Sequence, residues 1–320
     1  MIRPSHFIEI ADHDAETLGH VLSVGEELRA ERRAGRTHEP ILAGVTLAML
    51  FEKPSLRTRV SFELAMRELG GRTIMLGRDE VGLGKRESVG DVARVLSGMV
   101  DAVAARVFRH EDLEEMARLG STPIINMLSD RSHPCQALAD AMTLRDEFGP
   151  DLAGRTVAFV GDGNNVACSL ARLCAKLGVR YVHSGPAGYA LPEPVVERIG
   201  AECPGASIAS IDDPSKAVAG ADAVYCDTFT SMGQEAEAAE RERVFAGHQV
   251  NDALLAHAPP HAIVLHCLPA HRNVEITDAV MDGPRSRVFA QAHNRLHAQK
   301  GLLAVMLGGG KAGGQGDGGA

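Results

Sequence analysis

The chain has 320 residues, of which 45% are hydrophobic and 23% charged, and its formal net charge at pH 7 is −9. This length is sufficient for two domains, each with its own core. The negative charge argues against nucleic acid or an anionic membrane as a partner, since either would need a basic face. The sequence contains no apolar run long enough to span a bilayer and no signal-peptide core at its start, so we expect a cytoplasmic protein.

The first half of the chain alternates predicted helices and strands. Apolar spacing predicts a helix over residues 13–33, and the apolar run 45–51 predicts a buried parallel strand. An amphipathic helix follows from Ser55, and further strands are expected at 73–76, 102–108 and 122–126. Residues 77–87 are rich in glycine and charge and are predicted as a long loop. This alternation predicts a parallel sheet whose ligands bind at the carboxyl ends of its strands.

The second half repeats the pattern. Pro134 is placed to begin a helix that runs to about Phe148, and Gly149-Pro150 breaks the chain. Strands are then expected at 156–160, near Val182, at 223–226 and at 263–266, with a helix over 166–177. A final helix is expected over about 292–307, and the glycine-rich tail 308–320 is expected to be disordered.

We therefore predict an α/β fold with two similar domains, each a mainly parallel sheet flanked by helices, joined by two interdomain helices. The first domain is expected over 1–148, completed by the helix at about 292–307, and the second over 149–291.

The segment Ser55-Leu-Arg-Thr-Arg59 joins the first buried strand to the helix that follows it. Ser55 is a candidate N-cap, and the first helical turn would present free backbone N–H groups. The hydroxyls of Ser55 and Thr58 and the guanidinium groups of Arg57 and Arg59 are expected to converge there. This pattern predicts an anion site, most naturally for a phosphate; the alternative is a capped helix with surface arginines.

Two further groups follow predicted strands. Arg106 lies near the end of its strand, where its fixed fork of donors could reach a phosphate or carbonyl oxygen, although it could equally be a surface arginine. His133 and Gln136 share one face at the start of a helix, so both could donate hydrogen bonds to one ligand carbonyl. The alternative for His133 is a structural or capping role.

The turn Gly161-Asp-Gly-Asn-Asn165 is similar to a dinucleotide-binding turn, but Val166 stands at the third glycine position and the next strand lacks a terminal acidic residue. The paired asparagines could instead hold an amino-acid ligand. Asp227, Ser231 and Cys267 follow two apolar strands and would gather at one sheet edge, where a carboxylate suits an ammonium group.

Cys267 is not expected to act as a covalent nucleophile. Strand alternation predicts that its neighbour His266 faces away from it, and the arrangement of a protease nucleophile is lacking. The six cysteines show no framework spacing, so we expect reduced and mostly buried thiols. The histidines and cysteines have no metal-ligand spacing, so we expect no metal.

Six motifs occur in order along the chain: Phe51-Glu-Lys-Pro-Ser-Leu-Arg-Thr-Arg59, Ala105-Arg-Val107, His133-Pro-Cys-Gln136, Gly161-Asp-Gly-Asn-Asn165, Asp227-Thr-Phe-Thr-Ser-Met-Gly233 and His266-Cys-Leu-Pro269. Together they resemble those of ornithine carbamoyltransferases, a branch of the aspartate/ornithine carbamoyltransferase family. The resemblance covers about residues 6–307. It implies transfer of the carbamoyl group of carbamoyl phosphate to the δ-amino group of L-ornithine, giving L-citrulline and phosphate. It also implies no metal or organic cofactor, and a homotrimer or a multiple of trimers.

The resemblance also implies the residues of the site. Those for carbamoyl phosphate are Ser55, Leu56, Arg57, Thr58, Arg106, His133, Gln136, Cys267, Leu268 and Arg295. Those for ornithine are Asn165, Asp227, Ser231 and Met232. The residues expected to carry catalysis are Arg57, Arg106, His133, Cys267 and Arg295. The leaving phosphate is the expected proton acceptor, so no protein general base is implied.

The sequence departs from the family pattern in the predicted loop 77–87 of the first domain. Gly82 stands where relatives carry a histidine or glutamine that reaches a neighbouring subunit's site, and Lys85 is a candidate substitute.

Three alternative functions stay open. The nearest is a carbamoyltransferase for N-acetylornithine, putrescine or aspartate. A dinucleotide-dependent oxidoreductase built on residues 161–166 is the second, and a catalytically silent protein that keeps the carbamoyl phosphate site is the third. The pathway would be arginine biosynthesis or a urea-type pathway.

Overall fold

The computed structural model describes residues 5–230 and 235–308, which fold into two compact units. Unit 1 comprises Glu16–Met127 with residues 5–8 and 296–308, and unit 2 comprises Glu9–Ala15 and Leu128–Arg295. The predicted α/β class with two parallel sheets flanked by helices is confirmed. The predicted domain limits stay a prediction, because compactness alone does not tell which segments bind which substrate. Among the described residues, no helix has the length and apolar character needed to cross a membrane.

The first part of the chain forms the elements of the first sheet and its helices. They are α1 (Ala15–Arg33), β1 (Thr46–Phe51), α2 (Leu56–Glu68), β2 (Arg72–Gly77), α3 (Arg78–Val81), α4 (Val89–Ser97), β3 (Ala102–Arg106), α5 (His110–Leu119) and β4 (Ile124–Leu128).

The second part forms the second sheet and the long C-terminal helix. Its elements are α6 (Pro134–Phe148), β5 (Thr156–Val160), α7 (Asn165–Lys176), β6 (Arg180–Ser184), α8 (Glu193–Glu202), β7 (Ile208–Ser210), α9 (Pro214–Val218), β8 (Ala223–Cys226), α10 (Ala238–Val244), α11 (Asp252–Leu255), β9 (Ile263–His266), α12 (Asp278–Met281) and α13 (Val288–Leu307). Short 3-10 turns occur at Ile10–Asp12, Glu235–Glu237 and Ala246–His248.

The first sheet has the strand order β2-β1-β3-β4, and β1 pairs in parallel with both β2 and β3. The apolar residues of β1 and β3 are buried, and one cluster joins Leu50 and Ala105 of the sheet to Leu113 of α5. The register places Phe51 opposite Arg106. The connection from β1 to α2 therefore starts beside the end of β3.

The second sheet has the strand order β7-β6-β5-β8-β9, and all of its neighbouring strands are parallel. Phe159 and Tyr225 belong to one buried cluster, whereas the adjacent Val160 and Cys226 belong to another. Because successive residues of a strand point to opposite faces, both faces of this sheet are buried. This burial explains why its strands read as continuous apolar runs.

The register of the second sheet brings three chain segments to one edge. Val160 lies opposite Cys226, and Cys226 lies opposite His266. The turn that begins at Gly161 follows β5. Asp227 follows β8, and Cys267 follows β9. The sheet therefore places these segments side by side at the carboxyl ends of its strands, where α/β folds bind ligands.

Several elements differ from the sequence-based expectation, among them the helices α8 to α12, which were not predicted. The segment predicted as a long loop contains α3, since the Glu80 carboxylate accepts the Gly77 N–H and closes one turn of helix that ends at Gly82. Gly82 has a φ of 60°, and a Cβ there would lie 2.7 Å from the Arg86 Cβ, so the turn favours glycine. The short β7 was not predicted, and α13 begins at Val288 rather than near residue 292.

Candidate active site

The connection from β1 to α2 forms the capped turn that its sequence predicts. The Ser55 backbone is extended, and its Oγ accepts the Thr58 N–H at 3.4 Å and donates to Thr58 Oγ1 at 3.0 Å. Thr58 is buried and Arg57 is half-buried. A helix N-terminus of this kind offers N–H groups and a partial positive charge to an anion.

Arg59 and Leu56 face elsewhere on the same helix. The Arg59 Nε forms an exposed ion pair with Glu63 Oε1 at 2.9 Å. The expectation that Arg59 converges with Arg57 is therefore wrong, because residues two apart on a helix do not share a face. The side chain of Leu56 is 75% exposed, so at this position only the backbone N–H of the first helical residue belongs to the anion-binding turn.

Arg106 is the last residue of β3, and only 6% of it is exposed. Its carbonyl oxygen accepts the Glu52 N–H at 2.9 Å, so the β3 end is bonded to the segment that leads to Ser55. Arg106 thus stands beside the anion-binding turn in unit 1, and it is not the surface arginine that was the alternative.

In unit 2, His133, Gln136 and Arg295 form one buried cluster. His133 lies at the N-cap position of α6, where its side chain makes no capping hydrogen bond, and its backbone N–H donates to Ser169 Oγ at 2.8 Å. The Arg295 Nη1 lies 3.5 Å from His133 Nε2 and donates a short hydrogen bond to Gln136 Oε1. Arg295 is only 2% exposed, so its charge acts at low effective dielectric.

The amide group of Gln136 is oriented by two neighbours. Its Nε2 donates to Asp140 Oδ1 at 2.7 Å, one helical turn away, while its Oε1 faces Arg295. The expectation that His133 and Gln136 both donate to one carbonyl is therefore wrong in this arrangement, since the Gln136 oxygen is the atom turned towards the cluster. Asp140 was missed from the sequence, and its signal is a single acidic residue within the apolar run 137–142 of α6.

Asp227 and Cys267 lie together at the edge of the second sheet, as the strand ends predict. Asp227 Oδ1 accepts hydrogen bonds from the Thr228 N–H at 2.8 Å and from the Cys267 thiol at 3.0 Å. Its Oδ2 accepts from Asn164 Nδ2 at 2.8 Å. The carboxylate is therefore fixed from three directions.

The paired asparagines have different contacts. Asn164 caps α7, with its Oδ1 accepting the N–H groups of Val166 and Ala167 at 3.0 and 3.1 Å. Asn165 donates from Nδ2 to the Ser129 carbonyl oxygen at 2.6 Å. A dinucleotide pyrophosphate would need the N–H groups of this helix start. Since the Asn164 side chain takes two of them, the dinucleotide interpretation loses its main contact.

The turn after β9 has an unusual backbone. Leu268 has a φ of 61°, a left-handed conformation that is costly for a residue other than glycine and is typical of functional sites. Its N–H donates to His266 Nδ1 at 2.9 Å, and His266 Nε2 bonds to Glu275 Oε1 at 3.1 Å. His266 thus supports the turn that presents Cys267 and Leu268.

The prediction that His266 faces away from Cys267 is wrong. Strand alternation stops at His266, where β9 ends, and ligand-type atoms of Asp227, His266 and Cys267 lie within 4.8 Å of one another. These groups hydrogen bond within the protein, through the thiol to Asp227 and through the imidazole to Leu268 and Glu275. The expectation that the site uses no metal stays a prediction.

Ser231 and Met232, predicted to bind ornithine, lie outside the described residues. The segment just before them is anchored by Arg241, whose Nη1 donates to Asp162 Oδ2 at 2.8 Å and to the Phe229 carbonyl oxygen at 2.9 Å. Phe229 also stacks on Phe245 at a ring distance of 4.7 Å. Burial raises the pKa of Asp162, and the hydrogen bond from Arg241 opposes that rise.

Comparison with known proteins places both halves of the chain in one family. Residues 5–146 match the carbamoyl-P binding domain of aspartate/ornithine carbamoyltransferases, and residues 153–306 match their Asp/Orn binding domain. The ornithine carbamoyltransferase of Methanopyrus kandleri is 51% identical over 307 residues, which cover 95% of this chain and 97% of that protein. An anabolic ornithine carbamoyltransferase of Pyrococcus furiosus is 48% identical over 303 residues, covering 94% and 95%.

A solved structure agrees with these relatives. The ornithine carbamoyltransferase from Pyrococcus furiosus superposes with a TM-score of 0.93 at 45% sequence identity, covering 97% of this chain and 99% of that one. The similarity therefore spans both units and all six motifs.

Proposed function

Because the chain belongs to the aspartate/ornithine carbamoyltransferase family, we propose that it transfers the carbamoyl group of carbamoyl phosphate to the δ-amino group of L-ornithine, yielding L-citrulline and phosphate. The observation that carries the proposal is the buried cluster of His133, Gln136 and Arg295. It supplies cationic and neutral hydrogen-bonding groups of the kind that a carbamoyl group needs.

The phosphate of carbamoyl phosphate binds at the start of α2. The Ser55 and Thr58 hydroxyls and the backbone N–H groups supply neutral donors, and Arg57 supplies a charged fork that matches phosphate oxygens. Arg106 bridges the phosphate and the carbonyl oxygen. The capped geometry of the Ser55–Thr58 turn supports this assignment.

The carbamoyl group binds at His133, Gln136 and Arg295. His133 and Arg295 donate towards the carbonyl oxygen, where negative charge develops in the tetrahedral intermediate, and this is a large electrostatic contribution to catalysis. The Gln136 oxygen keeps a second lone pair, which suits an N–H of the carbamoyl amide. The pairing of Gln136 Oε1 with Arg295 supports this orientation.

Ornithine binds at the edge of the second sheet. Asn165, Asp227, Ser231 and Met232 hold its α-amino and α-carboxylate groups, while Cys267 and the Leu268 carbonyl orient the δ-amine. The neutral amine attacks the carbonyl carbon, the C–N bond forms, and the bond from that carbon to the phosphate oxygen breaks. The amine proton leaves with the phosphate. Because an alkylamine has a pKa of about 10.4, the rate rises with pH on the acid side of that value.

The experiment is a substrate panel with purified protein, carbamoyl phosphate and each of L-ornithine, N-acetylornithine, putrescine and L-aspartate. We expect citrulline from ornithine at the highest kcat/KM. Faster turnover of another amine would overturn the choice of ornithine. A folded protein that binds carbamoyl phosphate without carbamoylating any amine would show a silent binding protein, and saturable binding of NAD or NADP would revive the oxidoreductase.

Three finer statements belong to the same proposal. The chain assembles as a homotrimer or a multiple of trimers, acts in the cytoplasm and serves arginine biosynthesis. The family resemblance supports the first two, and the anabolic name of the Pyrococcus furiosus relative supports the third. The mass of the protein in solution tests the assembly, since a stable monomer with full activity would contradict it.

A further inference from the structure

A buried carboxylate lies between two groups of candidate site residues in unit 2. Asp140, on α6, is fully buried, and its Oδ1 accepts two hydrogen bonds of 2.7 Å. One comes from Gln136 Nε2 and the other from Gln291 Nε2. A single carboxylate oxygen therefore joins α6 to the first half of α13.

The first hydrogen bond leads to the carbamoyl side of the site. Asp140 holds the Gln136 nitrogen, so the Gln136 oxygen is turned to Arg295, whose Nη1 also lies 3.5 Å from His133 Nε2. A carboxylate accepts and a guanidinium only donates, so both neighbours select the same orientation of this amide. Asp140 thus sets the position of Arg295 through Gln136.

The second hydrogen bond leads to the amine side of the site. The Gln291 oxygen accepts the His266 N–H at 2.8 Å, and the His266 ring in turn accepts the Leu268 N–H. Cys267 stands between these two residues, and its thiol donates to Asp227. Gln291 thus connects Asp140 to the turn that presents Cys267.

The charge of Asp140 is also unusual. Burial raises its pKa to about 7, while hydrogen bonds from Gln291 and Gln136 and the charge of Arg295 act to lower it. The Tyr225 hydroxyl and the Cys174 thiol are the other titratable groups that interact with it. Near neutral pH the group exists in both forms, and a protonated carboxyl keeps one carbonyl oxygen that can accept both amides.

We propose that Asp140 is a positioning residue for carbamoyl transfer, which fixes Arg295 through Gln136 and the Cys267 turn through Gln291. The inference deepens the proposed function and rests on it. Asp140 acts through its neighbours, and its role is to keep the carbamoyl side and the amine side in one mutual arrangement within unit 2.

The test compares Asp140→Ala, Asp140→Asn and the control Thr143→Val. The alanine variant loses the shared acceptor, so we expect kcat to fall about 100-fold, with altered KM for both substrates, as for a misplaced catalytic group. The asparagine variant keeps a carbonyl oxygen for both amides, so we expect kcat within about tenfold of the wild type. Thr143→Val removes the α6 hydroxyl bonded to Asn294, one turn further on, and should leave both KM values unchanged.

Two results would overturn the inference: an Asp140→Ala protein with kcat and both KM values close to the wild type, or an Asp140→Asn protein as impaired as the alanine variant.

If Asp140→Ala does not fold, Gln291→Met tests the amine side alone. We expect it to raise the KM for ornithine about tenfold, equivalent to one lost hydrogen bond, and to spare the KM for carbamoyl phosphate. An unchanged KM for ornithine would refute the connection. Wild-type protein that forms no citrulline would overturn the proposed function itself, and the inference with it.

Discussion

Two arginines in the first turn of α2 provide a matched test of the phosphate site. Arg57 is half-buried in the first turn of α2, next to the capping pair Ser55 and Thr58, whereas Arg59 is exposed and paired with Glu63. Arg57→Ala is expected to remove nearly all citrulline formation, because it removes a charged donor to the leaving group. Arg59→Ala is expected to retain activity, since an exposed ion pair contributes at most about 1 kcal/mol. Equal losses in both variants, measured by initial rates, would contradict the assignment.

Cys267 is expected to position the amine rather than to attack the carbonyl. Its thiol donates to Asp227, so Cys267→Ser keeps a donor and should change the ornithine KM and kcat by about tenfold without abolishing turnover. Cys267→Ala lacks the donor and should be the weaker enzyme of the two. Steady-state kinetics with varied ornithine measures both effects. A fully inactive serine variant together with a trapped thiol adduct would establish covalent catalysis instead.

At the residue scale, sequence motifs predicted that His133 and Gln136 lie together, but they did not reveal Asp140 or the contact of Asn164 with Asp227. His133 and Gln136 are three residues apart at the start of α6, so local helix geometry brings them close together. The contacts of Asn164 with Asp227 and of Asp140 with Gln291 join positions more than 60 residues apart. Such contacts depend on tertiary packing, which the spacing of residues along the chain does not encode.

The turn after β5 depends on a glycine for a packing reason. A Cβ on Gly163 would lie 2.2 Å from the Ala190 carbonyl oxygen, a backbone atom that cannot move aside cheaply. Gly163→Ala is therefore expected to destabilise the protein by about 2 kcal/mol or more, and to raise the ornithine KM by displacing the adjacent asparagines. Denaturant unfolding and steady-state kinetics measure the two effects.

Gly200 is the matched control for this substitution. It is exposed on α8, and a Cβ there would meet no atom within 4 Å. Gly200→Ala should stabilise the protein by about 0.5 to 1 kcal/mol, since alanine has the higher helix propensity. If Gly163→Ala is as stable as Gly200→Ala, the close approach of residue 163 to the Ala190 carbonyl oxygen does not contribute to the free energy of unfolding.

At the element scale, long apolar runs predicted the buried strands well, whereas the short elements β7 and α3 were not predicted. The strands β5, β8 and β9 are buried on both faces, so their sequences are continuously apolar and easy to identify. In contrast, β7 has three residues at the sheet edge, and α3 is a single turn closed by the Glu80 side chain. Elements of this size are formed by one or two contacts rather than by a periodic pattern.

For the molecule as a whole, two buried groups give folding stability opposite dependences on pH. Burial lowers the pKa of His183 to about 4, from an ordinary value of 6.5, so the unfolded chain binds more protons between these values and stability is lost as pH falls. Burial raises the pKa of Asp140 from 3.8 to about 7, so the folded chain binds more protons there and stability is lost as pH rises. The two effects act in overlapping windows and partly cancel.

Substituting each group separately should expose the cancellation. His183 stacks on Phe159 and contacts the Tyr189 carbonyl oxygen through Nε2, and His183→Gln can keep that hydrogen bond without titrating. Between pH 7 and pH 5 we expect this variant to lose about 2 kcal/mol less unfolding free energy than the wild type. Asp140→Asn should lose more than the wild type over the same interval. Denaturant unfolding at both pH values measures the differences, and shifts of the same sign in the two variants would contradict the opposing roles of these buried groups.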